Sequence, residues 1–280
     1  MQFPKPWNIQ IELVRGCNLS CEFCAIHCVP KEKLFMSKET LMNTLAGVQD
    51  FDPLRVEFAM RGEPTLHPEL AVMVGLTRGF MPKSQITLTT NGIKLTKELA
   101  VDFFRAGGNI IVVDCYGTTF EKYSERFVGL PVVDFYEGKF NPWHRHPANE
   151  KKLVLMRDMT SVNGKKAQRQ IINQAGNIDY KRVAKYGVYP LKKALEKQCV
   201  HPFREVTVFA DGQVSICCRD WRNEHTLFNA NEKDIAVEWT TNPEWMRVRK
   251  LLQSKDRASI NICKRCDFHG GFRIGLLPKV

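Results

Sequence analysis

Cys17, Cys21 and Cys24 follow an apolar run and are spaced with three and then two residues between them. Three thiolates on one loop leave a fourth coordination position open. A structural zinc site fills all four positions with protein ligands, whereas an iron of a [4Fe-4S] cluster that lacks a cysteine can bind another molecule directly. A second set, Cys199, Cys217, Cys263 and Cys266, lies far downstream, with the last two in a Cys-x-x-Cys pair. Its four thiolates can close a tetrahedral zinc or a [4Fe-4S] cluster, and spacing alone does not choose between them. Cys28 and Cys115 read as buried inert thiols. Cys218 adjoins a candidate ligand, and on a strand its side chain would point to the opposite face.

Ten cysteines in 280 residues could staple a secreted domain. The first residues, Met-Gln-Phe-Pro-Lys-Pro, carry no apolar signal-peptide region, and no stretch reaches the roughly 18 apolar residues of a membrane span. The expectation is a soluble, cytoplasmic chain with no membrane partner, whose clustered thiols bind metal. Apolar residues at 44% and charged residues at 25% are ordinary globular values and exclude wholesale disorder. A formal charge of +11 favours contact with something anionic, nucleic acid included.

The elements that must position these groups alternate. Strand candidates are Asn8 to Leu13, Leu54 to Met60, Gln85 to Thr90, Asn109 to Asp114 and Lys152 to Arg157. Between them Ser37 caps a helix to about Gln49, Pro68 opens one to about Arg78, and Thr96 caps one to about Arg105. A further helix is expected over Phe120 to Phe127, and at most one strand near Val132 to Tyr136. The pattern is that of an α/β fold, a parallel sheet with crossover helices. Residues 161–198 are rich in Lys and Arg and read as a linker. Beyond them, Asp211-Gly212 turns a hairpin of Glu205 to Phe209 and Gln213 to Cys217, and a helix runs from about Pro243 to Gln253.

The cysteine spacing of the first loop resembles that of the radical S-adenosylmethionine (SAM) superfamily, with Phe23 at the aromatic position before the last ligand. The likeness extends to Gly62-Glu63-Pro64, similar to the family's Gly-Glu-Pro motif for the SAM amino group, and to Thr89-Thr90-Asn91-Gly92, similar to the segment that meets ribose and carboxylate. Arg61 departs from the pattern, because a second glycine is common there. Asp114, also at a strand's C-terminal end, stands where a SAM contact would fall. This resemblance implies a partial (β/α)6 barrel over residues 1–160 and reductive cleavage of SAM to a 5'-deoxyadenosyl radical, with Cys17, Cys21 and Cys24 holding the cluster that cleaves it. A reductase such as flavodoxin or ferredoxin would supply the electron.

Residues 199–280 resemble the SPASM/twitch extension of the same superfamily, a small α+β module, and Asn173-Gln-Ala-Gly176 is similar to a segment found there. No cysteine follows Cys266, which fits the smaller twitch type with one auxiliary [4Fe-4S] cluster on Cys199, Cys217, Cys263 and Cys266. The implied reaction is hydrogen-atom abstraction from a small-molecule or peptide substrate, with net oxidation assisted by the auxiliary cluster. The alternative is modification of nucleic acid or a nucleotide, favoured by the charge and by Trp143 to His146 as stacking and phosphate groups. Arg157 ends the last barrel strand and is expected to face the site.

Overall fold

The computed structural model describes residues 4–29, 31–115, 120–134, 152–158 and 173–269. Trp143 to His146 and the basic residues 165–169 lie outside these. The first part comprises β1 (Asn8–Ile11), β2 (Val14–Arg15), β3 (Leu34–Phe35), α1 (Lys38–Val48), β4 (Arg55–Phe58), α2 (Leu70–Phe80), β5 (Gln85–Thr90), α3 (Lys97–Arg105), β6 (Ile110–Cys115), α4 (Phe120–Ser124), β7 (Val132–Asp134) and β8 (Leu153–Asp158). After these come α5 (Tyr180–Val183), α6 (His201–Arg204), β9 (Glu205–Val208), β10 (Gln213–Ser215), β11 (Thr226–Asn229), α7 (Ile235–Thr241) and α8 (Pro243–Gln253). The expected caps form, Ser37 accepting from the Thr40 N–H and Thr96 from that of Leu99, and Asn242 also caps α8 by accepting from the Glu244 and Trp245 N–H groups.

Among the described residues nine strands join one sheet in the order β11-β10-β9-β1-β4-β5-β6-β8-β7. From β9 to β7 all neighbours are parallel, and β10 and β11 are antiparallel. This is an α/β fold with a partial barrel. Two features differ from a simple succession of strands. β7 lies outside β8, because β8 offers β6 six paired positions where the three-residue β7 offers β8 only three. The second module also shares the barrel's sheet, since β9 runs beside β1 with Asn8 opposite Glu205 and Ile11 opposite Val208.

Alternation divides each parallel strand between two faces. Ile9, Ile11, Val56, Phe58, Ile86, Leu88, Ile111 and Val113 are fully buried in the main core with the helices. The other face is unusually polar for a parallel sheet, whose strands normally read as continuous apolar runs. Its groups are paired: Arg55 with Asn8 (2.9 Å) and Glu57 (3.0 Å), Thr89 with Glu57 (3.1 Å), Gln10 with Glu205 (2.6 Å), and Arg157 with Asp114 (2.6 Å). A small apolar cluster of Ile110, Val112 and Leu155 completes it. Cβ parity thus puts chemistry on one face of the sheet and packing on the other.

Candidate active site

The cysteine loop is anchored where β2 meets the segment after β4. Gly16 and Gly62 form an isolated parallel bridge, and the Glu63 N–H donates to the Gly16 carbonyl at 3.0 Å. A Cβ at Gly62 would stand 1.9 Å from the Val14 carbonyl oxygen, so this approach admits glycine alone. The contact places Cys17 beside Glu63, and burial, followed by the Glu63 charge, raises the Cys17 thiol above its ordinary range despite hydrogen bonds from Leu19 and Asn91.

Glu63 is 2% exposed and ties the ends of two strands together. Its Oε1 accepts from the Thr65 N–H (3.0 Å), the Thr65 hydroxyl (2.6 Å) and the Thr90 hydroxyl (2.6 Å), and its Oε2 from the Asn91 N–H (2.7 Å). Oε2 retains a lone pair for a further donor. The Asn91 amide reaches back to the cysteine loop, donating to Asn18 Oδ1 at 2.9 Å and to Cys17 Sγ at 3.5 Å. Gly92, at φ +72°, lets Tyr123 donate to its carbonyl, and a Cβ there would collide with the Tyr123 hydroxyl.

These groups open on a single cleft of about 310 Å³. Cys17, Cys21, Phe23 and Cys24 line one part of it, Gly62, Glu63, Thr89, Thr90 and Asn91 a second, and Asp114 with Arg157 a third. Pro64 does not reach the cleft and opens the buried turn Pro64–Leu66. Cys115 is fully buried in the helix-side core, and Cys28 is half-buried, donating to the Asn177 carbonyl at 3.0 Å. The wall opposite comes from the second module: Gln174, Cys218, Arg219 and Trp221. Sequence reasoning did not place these in the site; Cys218, expected to point away from the Cys217 side, does so and faces the cleft beside the loop cysteines. Adjacency to Cys217 is the signal that singled Cys218 out. Which side it served depended on where β10 stops.

β10 stops at Ser215 because Asp220 gathers the next turn. Its carboxylate accepts from the Ser215 hydroxyl (2.9 Å) and from the Glu224 and His225 N–H groups (2.8 and 2.9 Å). The turn sets Cys217 into a second cavity, shared with Cys199, Cys263 and Cys266. All ten cysteines are free, so no disulfide competes for them. A hydrogen bond from Cys218 holds the Cys217 thiol below its ordinary range, whereas burial pushes Cys199 up to about 12 and raises Cys263 and Cys266. Ala175, His201, Arg219 and Arg257 also line the cavity. Burial works against the Arg219 charge, but the Cys218, Cys217, Cys266 and Cys199 thiols outweigh it and hold the guanidinium above its ordinary range.

The segment Asn173–Gly176 braces the Cys-x-x-Cys turn. Asn173 Nδ2 donates to the Arg265 carbonyl (2.6 Å), the Asp267 N–H to Asn173 Oδ1 (3.2 Å), and the Asn173 N–H to Asp267 Oδ2 (2.8 Å). Gly176 sits at φ +77° with Arg265 too close for a Cβ.

The donor sets fit the groups that the spacing suggested. Three thiols beside an open cleft suit a cluster with one iron left for another ligand, and four thiols with two guanidiniums suit an anionic four-thiolate centre. Among the described residues no three His, Cys, Asp or Glu side chains converge as ligands of one metal ion.

Residues 11–142 match the model of the radical SAM superfamily, and residues 199–267 that of SPASM, an iron-sulfur cluster-binding domain. The chain is 25% identical over 264 residues to the S-adenosyl-L-methionine-dependent 2-deoxy-scyllo-inosamine dehydrogenase of Niallia circulans, covering 92% of each. It is 31% identical over 157 residues to molybdenum cofactor biosynthesis protein 1 of Drosophila melanogaster, covering 54% of this chain and 27% of that one. In fold it resembles the crystal structure of BtrN in complex with AdoMet and 2-DOIA, with a TM-score of 0.70 at 21% identity over 94% and 93% of the two chains. Native anSMEcpe with bound AdoMet follows at a TM-score of 0.54 and 16% identity, over 93% and 89%. No helix among the described residues is long and apolar enough to cross a membrane.

Proposed function

Because the chain belongs to the radical SAM superfamily and carries a SPASM iron-sulfur domain, we propose that it is a dehydrogenase of a small polar molecule. When bound, SAM and the cluster on Cys17, Cys21 and Cys24 supply a radical that abstracts a hydrogen atom, and an auxiliary [4Fe-4S] cluster on Cys199, Cys217, Cys263 and Cys266 supplies an electron acceptor. The observation that carries the reading is the single cleft walled by the cysteine loop on one side and by Cys218 and Arg219, neighbours of Cys217, on the other. The cleft must take SAM and substrate together, and its polar lining of Asp114 and Arg157 beyond the SAM-side groups suits a small polar substrate. Likeness to the inosamine dehydrogenase along nearly the full length of both chains supports oxidation of such a molecule.

The chain's own groups divide the work. Gly62 and Glu63 offer backbone and a carboxylate oxygen to an ammonium, Thr89, Thr90 and Asn91 offer hydroxyl and amide groups to ribose and carboxylate, and Phe23, lining the cleft beside Cys24, would meet the adenine. Asp114 and Arg157, paired on adjacent strands, remain to orient hydroxyl or amino groups of the substrate. The barrel of residues 1–160 would carry the radical chemistry, and 199–280 the acceptor. Radical SAM chemistry requires a reductant, for which flavodoxin or ferredoxin is the natural donor in a cytoplasmic setting.

The test is 5'-deoxyadenosine release from anaerobically reconstituted, reduced protein. Host extract would be added as a low-mass filtrate, after protease treatment, or after nuclease treatment. Stimulation by the filtrate, with one carbonyl product per 5'-deoxyadenosine, is expected. Stimulation that nuclease abolishes would replace this reading with nucleic-acid modification.

A further inference from the structure

Two arginines, Arg219 and Arg257, stand at the four-cysteine cavity, and neither forms a direct ion pair with a carboxylate among the described residues. Arg257 is 1% exposed, and its three donor nitrogens give to the carbonyl oxygens of Lys197 (2.8 Å), Phe268 (2.6 Å) and Gln198 (2.8 Å). These acceptors are neutral and leave the full charge in place. The Arg219 guanidinium lies 4.1 Å from the centre of the Phe268 ring, with Nη1 3.3 Å from His201 Nε2; Glu205, paired with His201, and Asp267 act on it by charge without a direct ion pair. A buried cation such as Arg257 costs several kcal/mol unless an opposite charge faces it, and the anionic groups that line this cavity are the cysteine thiolates.

Arg219 also lines the SAM-side cleft. The wall between the two spaces is built from consecutive residues turned to opposite sides. Cys217 faces the cavity and Cys218 the cleft; Ala175 faces the cavity and Gln174 the cleft. Gln174 and Ala175 hold this split at φ +49° and +57°, a left-handed pair that non-glycine residues rarely adopt. Arg219 is the side chain common to both spaces.

We propose that Arg219 and Arg257 are the counter-charges of the group held by Cys199, Cys217, Cys263 and Cys266, and that Arg219 raises its reduction potential from the wall it shares with the cleft. Reduction of a four-thiolate cluster adds one negative charge, and a fixed cation nearby stabilises the more negative state by Coulomb attraction. Arg219 is a positioning residue in this role, acting through the cluster. The inference rests on the reading of that site as a [4Fe-4S] centre.

The experiment is an EPR-monitored redox titration of the reconstituted full-length protein, with the two clusters separated by the response of the open-site signal to SAM. Arg219→Gln and Arg219→Met lower the auxiliary midpoint by a tenfold or greater change in the electron-transfer equilibrium, about 59 mV for one electron. Arg219→Lys keeps most of the wild-type value. Phe268→Leu, which removes the ring beneath the guanidinium and leaves its charge, also keeps it, so packing and charge are told apart. About eight irons per chain with the same midpoint in wild type and both neutral variants would overturn this proposal alone. About four irons with zinc at the second site would overturn the auxiliary-cluster reading and the proposal together.

Discussion

Cys217 and Cys218 share a peptide bond and serve different spaces, one the closed cavity and the other the open cleft. Cys217→Ala should cut iron from about eight to about four per chain, whereas Cys218→Ala should leave both clusters in place. Iron and sulfide analysis after anaerobic reconstitution decides this, and equal iron loss in both variants would show that the pair exchanges as ligand. The cysteine sets were legible because thiolate number and spacing carry their chemistry directly. That Cys218 points away from Cys217 follows from strand alternation, but the cleft it enters was not legible, because the turn is set by Asp220 ending β10 early through three hydrogen bonds that no local pattern announces. Arg219, Trp221 and Gln174 escaped for the same reason: each enters the site through a turn rather than through a periodic element.

Strand ends and their attached turns explain the one departure in the motifs. Arg61 stands where a second glycine is common, and it is fully buried, pairing with Glu12 at 2.5 and 3.1 Å. Its other arm donates to the Asn223 side chain and to the Trp221 carbonyl (3.3 Å), and its guanidinium lies 3.5 Å from the centre of the Phe209 ring. It therefore clamps the turn that carries Cys217 to Arg219 onto the end of β4. Arg61→Gly, although it restores the commoner residue, should destabilise the protein by up to about 3–5 kcal/mol, because buried Glu12 loses its bidentate partner and is left with only Arg15 at 3.7 Å and the Ala210 N–H at 3.3 Å. Urea unfolding measures the loss, and a change below about 1 kcal/mol would remove the clamp from the account. His67, just before α2, supplies a pH dependence. Its Nε2–H donates to the Met36 carbonyl (3.0 Å) and its Nδ1 accepts from the Glu69 N–H (3.2 Å), which fixes the neutral ring, and burial lowers its pKa. A depressed folded-state pKa gives stability that is present above the unfolded value of about 6.5 and lost as pH falls through the folded value. Melting temperatures between pH 7.5 and 5.5 should fall more steeply for wild type than for His67→Gln, and parallel curves would refute the assignment.

The most consequential feature of the whole molecule is that its two modules share hydrogen bonds along a strand. Helix caps, strand order up to β6 and the Asp211-Gly212 turn follow from local signals, but the pairing of β9 with β1 joins positions almost two hundred residues apart, and nothing in either segment's periodicity names its partner. The pairing continues past the strand: the Trp7 N–H donates to the Arg204 carbonyl and the Glu12 N–H to that of Val208, each at 2.9 Å. Both edges of β1 are therefore occupied, by β4 and by β9, and its residues Asn8 to Ile11 are all buried. Removing the second module would turn β1 into an exposed edge with open backbone donors and acceptors, a template for pairing between chains, and would leave the charges of Arg61 and Glu12 under a missing cover. A chain truncated after residue 198 should therefore aggregate and fail to load its three-cysteine loop, even though every ligand of that loop is retained. Size-exclusion chromatography and iron content after anaerobic reconstitution test this. A monomeric truncated protein with about four irons would mean that the barrel folds alone and that the shared sheet is a docking arrangement rather than a condition of folding.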